Sequence, residues 1–242
     1  MKRFLLLALM QLVVFGAFSQ TWFDIGLKGG IGSSFMYNSQ IFKNQDIVHK
    51  FRPGYTFGGK LGFNFIQEHQ ITFDVMKTTF NQAFTYTPAD GPTGSENLRE
   101  YTFGGLDMLV MYRTNRNGTY FEIGPQWSTY STVKFSDNGS TAFTEENVAK
   151  MINKSNFGMA VGFGGYIFGT DNFGVATGLR FNYMFNDMAT AEGSAANFPI
   201  LKDTGESNPT HNLGVLFVIE MNYDFGYLVS SRCGQRTKLF VF

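Results

Sequence analysis

The chain is poor in the residues that cross-link, kink or charge a soluble domain. Its one cysteine, Cys233, excludes an internal disulfide framework. Only six prolines interrupt 242 residues, so long regular elements are allowed. Charge is scarce and balanced, 19 basic against 19 acidic residues. That balance supplies no basic field, so no nucleic-acid partner is expected. Beyond the N-terminal segment the longest clean apolar run is Leu213 to Ile219, whereas a spanning helix needs roughly 20 apolar residues. A tilted strand crosses the same core with about 9 to 11. A membrane span here must therefore come from strands closed into a barrel.

Chemistry is also scarce. No His/Cys/Asp cluster has metal-ligand spacing and no Gly-x-Ser-x-Gly occurs, so no cofactor or metal is expected. Gly162-Phe163-Gly164-Gly165 lies inside a strand-like stretch with no helix after it, which makes small inward residues a better account than a phosphate loop. The three histidines are His49, His69 and His211. His211 with Ser128 or Ser131 is the least implausible pairing for a lipid-modifying enzyme, and unrelated rim residues explain it better. The expectation is a protein that is not an enzyme.

What is present is aromatic and small: 28 Phe, 28 Gly and 11 Tyr. Such a composition points to β structure with glycine-smoothed packing. The first residues read as a signal peptide. Lys2 and Arg3 precede an apolar stretch from Phe4 to Phe18, and Ala17-Phe18-Ser19 supplies small residues for cleavage. Residues 1–19 are assigned to it, with a cut after Ser19 and no cysteine at the cut to make a lipoprotein.

The remainder, 20–225, resolves into eight alternating stretches. They are Trp22–Phe35, Gly54–Ile66, Gln70–Phe84, Arg99–Arg113, Thr119–Ser131, Ser155–Phe168, Phe173–Phe185 and Thr210–Phe225. In each, Phe, Leu, Ile, Tyr or Trp occupy one parity, and Gly, Asn, Thr and isolated charges the other. In the third stretch the alternation fades after Met76. In the fourth, Tyr101 and Phe103 alternate on one parity, and Leu106, Met108, Val110 and Tyr112 on the other. Gly104-Gly105 marks that slip and predicts a β-bulge.

Short connections (Gln67–His69, Thr114–Gly118, Gly169–Asn172) alternate strictly with long ones (Met36–Pro53, Thr85–Leu98, Thr132–Lys154, Asn186–Pro209). Soluble sandwiches and lipocalin-like barrels lack that pattern. It predicts an all-β, eight-stranded antiparallel up-and-down transmembrane β-barrel with short periplasmic turns and long outer loops. Eight strands enclose little more than their own side chains, so the phenylalanines are expected to face lipid.

Trp22, Tyr55, Tyr112, Tyr120, Trp127, Tyr183 and Tyr223 fall near strand ends, as aromatic girdles do. Lys28, Lys60 and Arg180 are expected to face Asp74, Asp107, Glu122 and Glu220 across the interior as an ion-pair and hydrogen-bond plug, because an unpaired buried charge costs several kcal/mol. In the third long loop, Thr144 can cap a short helix opened by Glu145-Glu146 and closed by Lys150 and Lys154, with Val148, Met151 and Ile152 on one face. Residues 226–242 read as a C-terminal tail.

The opening strand Gly26-Leu27-Lys28-Gly29-Gly30 carries a family resemblance. So do Leu106-Asp107-Met108-Leu109-Val110-Met111-Tyr112, Tyr120-Phe121-Glu122-Ile123-Gly124-Pro125-Gln126 and Phe157 to Gly164. The chain resembles the PorT-type outer-membrane β-barrel proteins of the Bacteroidota. The resemblance implies an eight-stranded barrel in the outer membrane, with some relatives linked to secretion or gliding motility. The terminal Phe242 resembles the aromatic end read by the barrel-assembly machinery. The partners expected are thus outer-membrane lipid, that machinery during insertion, and a protein partner at the outer loops or tail. The function expected is structural or interactive. An accessory subunit of a secretion or motility assembly, a lipid A-modifying enzyme and a narrow pore stand as alternatives.

Overall fold

The computed structural model describes residues 21–43, 47–66, 68–87, 96–170, 172–201 and 208–225. The signal-peptide and C-terminal-tail assignments lie outside these residues. The strands are β1 (Trp22–Tyr37), β2 (Ile47–Lys50), β3 (Gly54–Ile66), β4 (His69–Tyr86), β5 (Asn97–Arg116), β6 (Thr119–Asp137), β7 (Ser155–Gly169), β8 (Phe173–Met184) and β9 (His211–Phe225). Three short helices interrupt the long connections: α1 (Ser39–Lys43), α2 (Glu145–Lys150) and α3 (Ala191–Ala195).

Every barrel strand pairs antiparallel with its sequence neighbour, and β1 pairs with β9 to close the ring. Paired residues can be followed around the wall from Phe23 through Phe63, Ile71, Tyr112, Ile123, Val161, Phe181 and Val215. The path returns to β1 at Ser33, ten residues up the strand it left. Eight strands with that stagger tilt by roughly 40° and leave a lumen filled by side chains. At one end the connections are tight. Asn117 and Gly118 both have positive φ, 51° and 76°, between the paired Arg116 and Thr119. This is the two-residue hairpin that an Asn-Gly pair favours.

β2 is an addition to the expected strands. It pairs with Ala83–Tyr86 of β4 and runs in the same direction as β3, on the same flank of β4. The two are one strand broken at Phe51-Arg52-Pro53, where proline cannot donate to a ladder. Asn81 Nδ2 reaches across to donate to the Pro53 carbonyl at 2.7 Å. The loop expected over Met36–Pro53 is thus partly barrel wall.

The bulge needs a correction. The register shift does fall opposite Gly104 and Gly105, but Gly104 pairs with Thr132 and Gly105 with Tyr130. The extra residue is Ser131 of β6. β5 keeps one parity throughout, so Tyr101 and Phe103 point inward with Asp107, Leu109 and Met111 instead of toward lipid. β6 also continues as strand to Asp137, where a loop was expected from Thr132.

These corrections share a cause. Near the tight-turn end the barrel is apolar outside and polar inside: Phe73 and Phe181 are exposed while Asp74 and Arg180 are buried. On the upper parts of β4, β5 and β6 the polarity inverts. On β4 the outward residues become Lys77, Thr79 and Asn81, while Phe80 and Phe84 turn inward. The alternation that faded after Met76 marks this inversion. Outward apolar residues on β9 run from Phe225 to Leu213, a tilted path projecting to roughly 25–30 Å along the axis. That height matches a bilayer core.

Candidate functional site

The lower lumen holds four cations and four acids, each at most 3 % exposed. Six of them form a closed alternating ring. Lys28 Nζ meets Asp74 Oδ2 at 2.5 Å, and Asp74 Oδ2 accepts from Arg180 at 2.9 Å. Arg180 binds Glu122 at 2.6 Å, and Glu122 binds Arg113 at 2.7 Å. Arg113 binds Glu220 at 2.6 Å, and Glu220 returns to Lys28 at 3.1 Å. Lys60 hangs from this ring, 2.8 Å from Glu220 and 2.9 Å from Asp24. Asn64 and Gln70 complete the Asp24 shell by donating to Oδ2. The Arg113 guanidinium lies 4.3 Å from the centroid of the Tyr120 ring.

Strand register explains the closeness. Glu122 of β6 and Arg180 of β8 both face Gly162 of β7, one from each side. A Cβ at Gly162 would sit 2.8 Å from the Glu122 side chain, so glycine is what lets the pair clasp across the intervening strand. Lys28 likewise faces Gly58 of β3 on its way to Asp74 of β4.

The structure brings together Lys28, Lys60, Asp74, Glu122, Arg180 and Glu220, as their parity implied. It adds Asp24 and Arg113. Both carried the inward parity in the sequence but stood at the ends of their alternating stretches. Asp107 is buried yet joins no ion pair among the described residues; its Oδ2 accepts from Thr78 Oγ1 at 2.8 Å.

Of the expected interface aromatics, Tyr55, Tyr112, Trp127, Tyr183 and Tyr223 are exposed on the outward parity. Two do not belong there. Trp22 shares the inward parity of Asp24 and is half-buried at the mouth. Tyr120 is buried inside, where it supports Arg113.

Above the ring, the lumen is closed by an apolar cap. Met36, Phe84, Tyr101, Phe103 and Tyr130 from the wall pack with Ile41, Val148, Ile152, Met188 and Phe198 from the long connections. α2 forms where expected: Thr144 Oγ1 accepts from Asn147 N at 3.3 Å, and Val148 is wholly buried in the cap. The β8–β9 connection is tied down by Tyr101 Oη and Arg99, which donate to the carbonyls of Pro199 and Ile200. Arg99 is itself held by Asp137 at 2.8 Å.

The hydrolase geometry is not assembled by the residues considered for it. His211 lies on the outward parity with its ring 5.7 Å from that of Tyr183, whereas Ser128 is buried inside and bonded to Gln126. Ser131 points outward on β6.

An even-stranded closed barrel with an apolar belt, a polar lumen, tight turns at one end and long connections at the other defines a class: the transmembrane β-barrel of Gram-negative outer membranes, turns inward and loops outward. No family model matches the sequence, and no curated protein matches it. Solved structures similar to it include the outer membrane protein OprG from Pseudomonas aeruginosa, at 11 % identity and TM-score 0.44, covering 86 % of this chain and 98 % of that one. Neisserial surface protein A follows at 11 % identity and TM-score 0.40, with 82 % and 95 % covered. The attachment invasion locus protein Ail of Yersinia pestis, in complex with the heparin analogue sucrose octasulfate, has 10 % identity and TM-score 0.41, with 84 % and 99 % covered. At such identities the likeness concerns architecture alone.

Proposed function

We propose that this protein is a closed, non-enzymatic outer-membrane barrel whose rigid outer cap presents a docking surface to a protein partner. One observation carries the reading: the lumen is filled along its length, by the charge ring below and the apolar cap above. Salt bridges among groups at most 3 % exposed occupy the lower lumen, which supports a closed barrel over a pore. The cap consists of loop segments held to a wall that rises above the membrane, an arrangement suited to contact at the cell surface. The PorT-type resemblance agrees with an accessory role in a larger assembly.

Planar-bilayer recording of the reconstituted protein tests the closed lumen. The expected outcome is no stable single-channel current at physiological salt; large, persistent steps would overturn it. Cross-linking at cysteines placed in α2 should capture a partner in intact cells, and should fail when the same cysteines are placed on the lipid face of β9.

A further inference from the structure

Asp107 stands one level above the ring, still within the membrane span. Thr78 donates its hydroxyl to the carboxylate, and Thr78 lies 2.9 Å from the Thr56 hydroxyl. Ser128 faces Asp107 across the β5–β6 ladder. Gln126 is wholly buried and gives its amide to Ser128 Oγ at 3.0 Å. Its carbonyl oxygen Oε1 is buried with no hydrogen-bond partner among the described residues. Met76 faces Asp107 across the β4–β5 ladder and belongs with Leu109 to a buried apolar cluster.

Charge counting makes this cluster unusual. The four cations and four acids below cancel, so an ionised Asp107 would add one uncompensated negative charge to the lumen among the described residues. Arg180 of the ring is committed to Asp74 and Glu122. The other titratable group facing Asp107 is Tyr130, whose hydroxyl accepts from Asn212. A carboxylate buried without a counter-charge is strongly disfavoured.

We propose that Asp107, Thr78, Ser128 and the Gln126 carbonyl form a binding site for one monovalent hard cation of the sodium class. The donors are all oxygen, which selects a hard ion over a soft one. A single carboxylate selects one charge: a divalent ion would leave the lumen positive and would find only one acid where such ions usually gather several.

Thermal unfolding of the folded full chain in detergent micelles, in sodium chloride or in N-methylglucamine chloride at equal ionic strength, tests this site. Sodium should raise the midpoint saturably, and Asp107→Asn should remove that response. Thr78→Val, which keeps the carboxylate, should weaken the apparent sodium affinity at least ten-fold, and it carries the test if Asp107→Asn does not fold. Broadening of the sodium-23 resonance by the folded protein should follow the same order. Equal midpoints in the two salts would overturn the proposal, as would a sodium response that survives in Asp107→Asn. So would an infrared band of a protonated carboxyl that Asp107→Asn abolishes, because a proton would then fill the role.

Discussion

Glu220 shows how tightly the interior is drawn. One carboxylate meets Lys28, Lys60 and Arg113, none of them reachable by water. Breaking a buried pair from one side costs about 3–5 kcal/mol, because it strands the partner's charge. Glu220→Gln should therefore destabilise the barrel by about that amount, measured by urea unfolding in lipid vesicles; a change below ~1 kcal/mol would mean that water compensates the ring. Much of this network was legible from parity alone. In a barrel this narrow, charges on the inward face of facing strands must meet. Asp107 is inward and hydrogen-bonded but outside the ion-paired ring, because parity sets a direction and not a height. Lying a level above the acids of the ring, it meets hydroxyls instead of cations.

The upper half of β4 carries the clearest division at the scale of single elements. Its outward row passes from Ile71, Phe73 and Val75 to Lys77, Thr79 and Asn81 while its inward row becomes phenylalanine. Spin labels, introduced with Cys233 replaced by serine, should report this change. A label at Phe73 should be relaxed by lipid-soluble oxygen, and one at Asn81 by a water-soluble paramagnetic reagent; lipid-type accessibility at both would deny the inversion. The sequence pattern located the spanning parts of the strands well, because lipid imposes a strict alternation there. Above the membrane either polarity can be satisfied, so Thr132–Asp137 and Ile47–Lys50 read as loop although they are strand. The same ambiguity hid the true direction of Tyr101 and Phe103.

Taken whole, the molecule is two-storeyed. The lower storey is ordered by lipid and ion pairs, the upper by an ordinary apolar core. The two should yield separately. Phe198 is 1 % exposed in the cap, and truncating a buried Phe costs about 3–5 kcal/mol. Phe198→Ala should make the 186–209 connection markedly more sensitive to protease at the cell surface while the barrel keeps its heat-modifiable gel mobility. Simultaneous loss of both would show one cooperative unit.

The placement of Glu220 bears on how such a wall is completed. It sits on the closing strand, whereas Lys28, Lys60, Arg113 and Arg180 all precede it, opposed within the ion-paired group by Asp24, Asp74 and Glu122. Until β9 docks, this lower ion-pair group carries an excess of one positive charge. Arrival of the closing strand thus seals the edge and balances the ion-paired group in one event, so that an unfinished barrel is electrostatically marked as unfinished.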